Sequence, residues 1–296
     1  MSKITHVMSV DLVPADAMAA LKLRTALDEM CAADPTLGVA IGPVNEVVLQ
    51  GASELHLETA VDILKRSKGL VLQVGAPQVH YRECITKTIE WDYTHKRQTR
   101  GTGEYAKVKM RFEPTEPGSG FQFENAVRNA AVPVAFIPGV EKGLMTAKET
   151  GIIAGFPVTD LKCTLIDGGY HDVDSNELTF EIAARACFRE ALPKAGPRLL
   201  EPMMEVGIVT PQKYLGDVIG DLNSRHGQVA GMDKLDGMQV IIAFVPVANL
   251  FGYIDTLKHM TRGRATCTMT FSHYEQVPPG CGPDDDNFRP AVGMRA

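Results

Sequence analysis

The sequence predicts an α+β protein in which two ferredoxin-like β-α-β-β-α-β domains flank a central domain of different pattern. Three observations carry this reading. Residues 6 to 81 read as strand, helix, strand, strand, helix, strand. Residues 203 to 277 repeat that order, which is the split-βαβ arrangement. The stretch between them is built instead around a long two-faced strand and two helices. The expected domains are 1–80, 81–201 and 202–277. The tail, 278–296, is Pro/Gly-rich with an Asp284-Asp285-Asp286 run, and is expected to be disordered. The ferredoxin-like fold hosts many functions and names none.

In the first unit, His6 to Val13 alternates and Pro14 stops it. Asp16 is placed to cap a helix whose Leu23, Leu27, Met30 and Cys31 share one stripe. Asp34-Pro35 ends it. Leu37 to Ile41 and Val47 to Leu49 form a hairpin around Gly42-Pro43. A second helix carries Leu57, Ala60, Val61 and Leu64 on one stripe and closes at Gly69, before a strand over Leu70 to Val74.

The last unit follows the same plan. Met204 to Val209 is a strand, and Leu215, Val218, Ile219 and Leu222 form a helical stripe. Gln228 to Met232 pairs with Met238 to Val245, Leu250, Ile254 and Leu257 mark a helix, and Ala265 to Tyr274 alternates.

In the centre, Ala106, Val108, Met110 and Phe112 alternate with Tyr105, Lys107, Lys109 and Arg111, a strand with a basic outer face. Before it, Thr94 to Glu104 reads as a basic, glycine-bearing loop containing Lys96, Arg97, Arg100, Gly101 and Gly103. Such a loop suits phosphate backbones; a solvated charge run is the bland alternative. Val140, Gly143, Leu144 and Ala147 mark a helix. Leu161, Cys163 and Leu165 lie on one face of a strand leading into Asp167-Gly168-Gly169, strong turn chemistry. Asp174 and Glu177 have capping-box spacing for a helix beginning near Ser175 and carrying Ile182, Ala183, Ala186 and Cys187. Tyr170, His171 and Asp172 then sit in a short loop fixed at both ends, either a binding tip or an ordinary surface turn.

Composition narrows the classes. Of 296 residues, 45% are hydrophobic and 22% charged, as in ordinary globular proteins. No apolar run spans a membrane and no signal-peptide core is present, so the cytoplasm is expected. Six scattered cysteines show no C-x-x-C spacing. A net charge of −6 argues against nonspecific nucleic-acid binding by the whole surface, but leaves room for a local basic patch. The P-loop, G-x-G-x-x-G, H-E-x-x-H and G-x-S-x-G patterns are absent. His171, Asp172 and Asp174 are the one enzyme-like cluster, and metal-dependent hydrolysis is its minor reading. His56, beside Glu54 and Glu58, reads as a structural histidine.

Several longer motifs carry a family likeness. They are Glu54-Leu55-His56-Leu57-Glu58, Gly75 through Tyr81-Arg82-Glu83, Glu116 through Gly120, Asp167 through Glu177, Lys194 through Pro197 with Leu200-Glu201-Pro202, Gly216 through Arg225, and Phe271-Ser272-His273-Tyr274. On these residues, roughly 7 to 277 resembles the C-terminal half of bacterial elongation factor G, the ribosomal translocase, without its GTPase domain and β-barrel domain. The resemblance implies that the flanking units are domains III and V and that the centre is domain IV, with a ribosomal-protein-S5-like core. Its tip would enter the decoding centre and follow the tRNA–mRNA duplex, contacting rRNA. The implied tip residues are His171 with Tyr170, Asp172, Gly168 and Gly169, and the loop of Lys96, Arg97, Arg100, Gly101, Gly103 and Glu104. His171 would act by insertion and hydrogen bonding, and the basic residues by salt-dependent phosphate contacts.

The chain departs from the family pattern at Gly51-Ala52-Ser53, where glycine-methionine-glycine is usual, and at Glu104, where glutamine is usual. No catalytic residue, metal or cofactor is expected, because GTP binding would belong to the missing domain. The expected function is a ribosome-binding factor without its own GTPase, with a separate GTPase subunit as one possible partner and no membrane partner. The initiating methionine and unusual tail argue mildly for a complete short gene product. The competing reading is a protein–protein module that keeps the fold but does not bind ribosomes.

Overall fold

The computed structural model describes residues 6–41, 47–66, 68–99, 102–128 and 131–278. The hairpin turn at Gly42-Pro43, Arg100, Gly101 and the expected tail from 279 onward lie outside them. Two compact units are distinguished, one formed by residues up to 80 with 201–275, the other by 81–200 with the segment from 276.

The first unit holds both ferredoxin-like modules. Its opening module runs β1 (Met8–Pro14), α1 (Ala17–Ala33), β2 (Gly38–Ile41), β3 (Val47–Gly51), α2 (Glu54–Arg66) and β4 (Leu72–Val74), with the short β5 (Gln78–Val79) added. The sheet order is β2-β3-β1-β4, with β5 also pairing β1. Asp16 caps α1 by accepting from Ala19 N–H at 2.7 Å. Leu23 and Leu27 are buried as the stripe requires, while Met30 and Cys31 at its end are half-buried. On α2, Leu57, Ala60, Val61 and Leu64 are all buried. His56 Nε2 lies 3.0 Å from Asp34 Oδ2, which ties the start of α2 to the end of α1.

The second unit follows in the chain with β6 (Arg82–Ile85), β7 (Ile89–Thr99), β8 (Thr102–Pro114), β9 (Phe121–Asn125), α3 (Ile137–Lys148), β10 (Leu161–Gly169) and α4 (Glu177–Ala191). Its sheet order is β7-β8-β10-β9, with β10 antiparallel to β8 and parallel to β9. Ala106, Val108, Met110 and Phe112 are fully buried against α3 and α4. The buried stripe of α4 centres on Phe180, Ala183, Ala184, Cys187 and Phe188, rotated slightly from the expected one, with Ile182 and Ala186 half-buried. Cross-strand ion pairs occupy the outer face: Lys107–Asp92 at 3.0 Å and Arg111–Glu90 at 2.6 Å. Arg111 beside it holds Glu90 below the usual carboxylate range. The expected basic face of β8 is therefore a charge-neutralised one, its cations paired with carboxylates of the neighbouring β7.

The closing module of the first unit runs β11 (Pro197–Pro211), α5 (Leu215–Ser224), β12 (Gln228–Leu235), β13 (Met238–Pro246), α6 (Tyr253–Thr261) and β14 (Thr266–Gln276). Its order, β12-β13-β11-β14, is that of the opening module. The α+β class with two ferredoxin-like sheets holds. The strands β5, β6 and β9 have no counterpart in the sequence reading.

Burial first, and then the charge of Glu275, raise Glu201 from its ordinary value of 4.5 to about 7. A carboxyl raised on folding contributes stability that is fully present below the unfolded value and lost as pH rises through the folded one. Thermal unfolding of a Glu201→Gln variant should therefore lack the part of the wild-type stability decline that falls between pH 4.5 and about 7. Parallel pH profiles for the two proteins would contradict this.

Candidate functional site

The site is built where the β7–β8 hairpin meets the β10–α4 loop. Among its described residues the basic stretch is strand, not loop. The strands continue through it, with Lys96 opposite Tyr105, Arg97 opposite Glu104 and Gln98 opposite Gly103. Alternation persists under the charged composition, since Tyr93 and His95 are half-buried while Thr94 and Lys96 are exposed.

Asp167-Gly168-Gly169 is not a turn either. It extends β10 past an irregularity between Leu165 and Asp167 and pairs with Lys109, Val108 and Lys107. Neither glycine has a positive φ. Gly168 is required by close approach instead, because a Cβ there would stand 2.4 Å from Val132 Cγ2 and 2.6 Å from Lys107 O.

The loop after Gly169 is locked onto β8. Tyr105 N–H donates to Asp174 O at 2.8 Å, and Ser175 O–H donates to Tyr105 O at 2.6 Å. His171 N–H donates to Ser175 Oγ at 2.8 Å, and Ser175 N–H returns a bond to His171 O at 3.1 Å. The α4 cap is Asn176, not Asp174: its side chain accepts from Thr179 N–H and Thr179 O–H, both at 2.9 Å. Asp174 is drawn away to the hairpin and to His171, so the helix begins at Glu177. Asn176→Ala should cost about 1 kcal/mol in urea unfolding. An unchanged midpoint would mean the cap contributes nothing here.

These elements enclose a cleft of about 620 Å³ lined by Lys96, Arg97, Gln98, Gly103, Glu104, Tyr105, Tyr170, His171 and Asp174. Both sequence-predicted segments thus meet in one place. Gly103 makes this possible, since a Cβ on it would lie 2.6 Å from the Asp174 carboxylate. Gly168 and Gly169 support the cleft from β10 without lining it, and exposed Asp172 lies outside its lining. Tyr170 is held edge-on to Phe136, with ring centroids 6.4 Å apart.

Two histidine–carboxylate pairs stand at the cleft, the first not foreseen from the sequence and the second drawn from the His171, Asp172 and Asp174 cluster. His95 Nε2 stands 3.1 Å from Glu104 Oε2, with the histidine side chain only 16% exposed. His171 Nδ1 stands 3.4 Å from Asp174 Oδ2. The signal for the first pair was available: continuing the strand alternation across the hairpin puts residues 95 and 104 on neighbouring diagonals. Among the described residues, neither Lys96 nor Arg97 has an ion-pair partner. No group of three or more His, Cys, Asp or Glu side chains gathers to hold a metal ion, and no helix is long and apolar enough to cross a membrane, again among the described residues. The cleft therefore offers two free cations at the rim, two carboxylates paired to imidazoles, and an exposed aromatic ring. That is chemistry for binding a polyanion, with ring surface for base contacts.

Three family models match the chain in order: elongation factor G domain III at residues 5–76, elongation factor G domain IV at 77–196, and the elongation factor G C-terminus at 198–281. Elongation factor G of Anaplasma marginale (strain Florida) is 51% identical over 273 residues, covering 92% of this chain and 40% of that protein. A crystal structure of a Thermus thermophilus protein matches with a TM-score of 0.74 and 35% identity, covering 94% of this chain and 42% of that one. The chain spans about two fifths of the length of each.

Proposed function

The chain belongs to the elongation factor G family, carrying its domain III, domain IV and C-terminal modules, and on that premise we propose that the cleft of the second unit is its contact surface for ribosomal RNA. In this reading the protein is a cytoplasmic translation factor, or part of one, that engages the decoding centre during tRNA–mRNA translocation. Lys96 and Arg97 meet phosphates at the rim. Tyr170 and His171 meet sugar and base surface inside, where unstacked RNA bases are read by aromatic rings and hydrogen bonds. His171 acts by insertion and hydrogen bonding, and no residue of the chain is assigned a catalytic role, a nucleotide or a metal. GTP hydrolysis would lie with another part of the family's protein, in the same chain or a separate subunit.

The observation that supports this reading most is the convergence of the β7–β8 hairpin and the β10–α4 loop on one cleft, with Lys96 and Arg97 at its rim and without ion-pair partners among the described residues. Co-sedimentation with bacterial ribosomes over a salt series tests it. Binding should weaken as salt rises, and the Lys96→Ala/Arg97→Ala variant should bind more weakly, with a salt slope shallower by about 0.7 to 0.9 for each phosphate that is no longer neutralised. A well-folded protein that fails to bind at low salt would sink the proposal. Glu104 and Asp174 inside the cleft favour a second reading, a protein-interaction module, and that failure would select it.

A further inference from the structure

The two walls of the cleft come from segments 70 residues apart in the chain, and one hydroxyl ties them together. β10 pairs with β8 as far as Gly169 opposite Lys107. Beyond that point the edge of β8 at Tyr105 is taken by the β10–α4 loop. Tyr105 N–H donates to Asp174 O at 2.8 Å, and Ser175 O–H donates to Tyr105 O at 2.6 Å. The same Ser175 oxygen accepts from His171 N–H at 2.8 Å, and Ser175 N–H donates to His171 O at 3.1 Å. This half-buried hydroxyl therefore spends its single donor on the hairpin and a lone pair on the histidine's main chain. Across the hairpin, Tyr105 stands opposite Lys96, the neighbour of Arg97.

The imidazole of His171 is not held by packing. Its side chain is 60% exposed, and the ring's described polar contacts, Nδ1 to Val173 N and to Asp174 Oδ2, are both 3.4 Å long. Both partners belong to the same loop, so these contacts turn the ring without fixing the loop to the hairpin. Where the ring stands is set by the main chain at residue 171, and Ser175 holds that main chain on both its N–H and its carbonyl. A binding group performs only when its supports keep it within about half an ångström of the productive geometry.

We propose that Ser175 is the positioning residue of the cleft: its hydroxyl fixes the His171 main chain to Tyr105 of β8, so that the imidazole and the hairpin cations Lys96 and Arg97 meet one RNA strand at a set spacing. The inference rests on the nucleic-acid reading above and names the residue on which its geometry depends. Without the hydroxyl, Tyr105 O and His171 N–H each lose a partner, and the bond from Tyr105 N–H to Asp174 O is left to hold the loop on the hairpin. Lys96 and Arg97 stay where they are, because the β7–β8 ladder that carries them does not pass through Ser175. Removing the hydroxyl therefore separates the two halves of the contact. The phosphate half remains, and the histidine half is lost.

The test is a double-mutant cycle read by ribosome co-sedimentation, with Ser175→Ala, His171→Ala and both together, each over a salt series. Ser175→Ala should bind about five- to tenfold more weakly than wild type, the scale of a net hydrogen bond. Its salt slope should match that of the wild type, since as many phosphates are neutralised as before. The double variant should bind no more weakly than His171→Ala, because Ser175 acts through the histidine. Wild-type affinity in either single variant, or losses that multiply in the double variant, overturn the inference while leaving the RNA surface intact. A shallower salt slope in Ser175→Ala overturns it as well, since the hydroxyl would then be holding the hairpin and its cations. Should Ser175→Ala fail to fold, as Trp91 fluorescence would report, Ser175→Thr decides. It keeps the hydroxyl, so binding closer to wild type than to His171→Ala upholds the inference, and binding as weak as that of His171→Ala overturns it. No binding by the wild-type protein at the lowest salt overturns the RNA reading and this inference with it.

Discussion

Glu83→Ala should destabilise the second unit by about 3–5 kcal/mol, the scale for leaving buried partners of a charged group unpaired. Glu83 is fully buried on β6. Its carboxylate accepts from the backbone N–H groups of Ile152, Ile153, Ala154 and Phe156, the last three at 2.9, 2.9 and 3.0 Å. The main chain adds to this, with Glu83 N–H donating to Pro157 O at 3.0 Å and Thr159 N–H donating to Glu83 O at 2.8 Å. The loop after α3 is thus wound around one carboxylate, and Gly151 and Gly155, both at positive φ, let it turn tightly enough. Truncation leaves four donors without an acceptor in a water-poor setting. That loss is a large fraction of the ~5–15 kcal/mol that holds a typical domain together. Trp91 is the sole tryptophan and lies on β7 of the same unit, so its fluorescence in a denaturant titration reports this unit directly. Glu83→Gln retains one oxygen acceptor but turns an NH2 group toward donors, so it should lose roughly half as much. A loss below about 1 kcal/mol for the alanine variant would mean that water replaces the carboxylate and that the loop is ordered by something else.

None of this was legible in the sequence. Glu83 appears there only as the end of a motif, and its partners lie about seventy residues away. Local pattern carries what repeats locally. The stripes of α2 and α5, the alternation of Ala106 to Phe112, and the hairpins were readable because helix and strand periods leave their mark over a few turns. Two sheets in the orders β2-β3-β1-β4 and β12-β13-β11-β14 follow from that pattern once the split-βαβ arrangement is recognised. Where a distant contact decides, local signals misled. Asp167-Gly168-Gly169 has turn composition, yet Gly168 is there because Val132 and the Lys107 carbonyl leave no room for a side chain. Asp174 has cap spacing, yet β8 and His171 claim it and Asn176 caps the helix instead. The site residues were found by type; the pairing of His95 with Glu104 was there to be read once the strand alternation is carried through the basic run, whose composition was read as a loop instead.

Gly139→Ala should be the most damaging small substitution, and its effect should reach the cleft. A Cβ at Gly139 would stand 2.2 Å from Glu177 O and 2.8 Å from the Glu177 side chain; one at Gly143 would stand 2.4 Å from Glu181 O. The helices α3 and α4 therefore touch backbone to backbone along one glycine face. Replacing a helical glycine by alanine ordinarily gains up to about 1 kcal/mol of helix propensity. Here the added methyl meets a carbonyl that moves only if all of α4 moves, and overpacking of that kind costs about 1–3 kcal/mol or more. The clash outweighs the propensity gain, and a net loss of about 2 kcal/mol is expected at each glycine, again followed through Trp91. The two positions differ in what they displace. Glu177 is the first residue of α4, directly after the Asn176 cap and the loop that carries Tyr170, His171 and Asp174. Pushing it outward strains the bonds from Tyr105 N–H to Asp174 O and from Ser175 O–H to Tyr105 O that hold this loop on the hairpin. Glu181 lies a turn further along, where the same push is taken up by the helix body. Ribosome co-sedimentation under conditions where both variants are folded should show weaker binding for Gly139→Ala than for Gly143→Ala. Equal binding by the two would mean that the cleft is positioned by the hairpin alone, and that the backbone contact between the helices serves stability without setting the site.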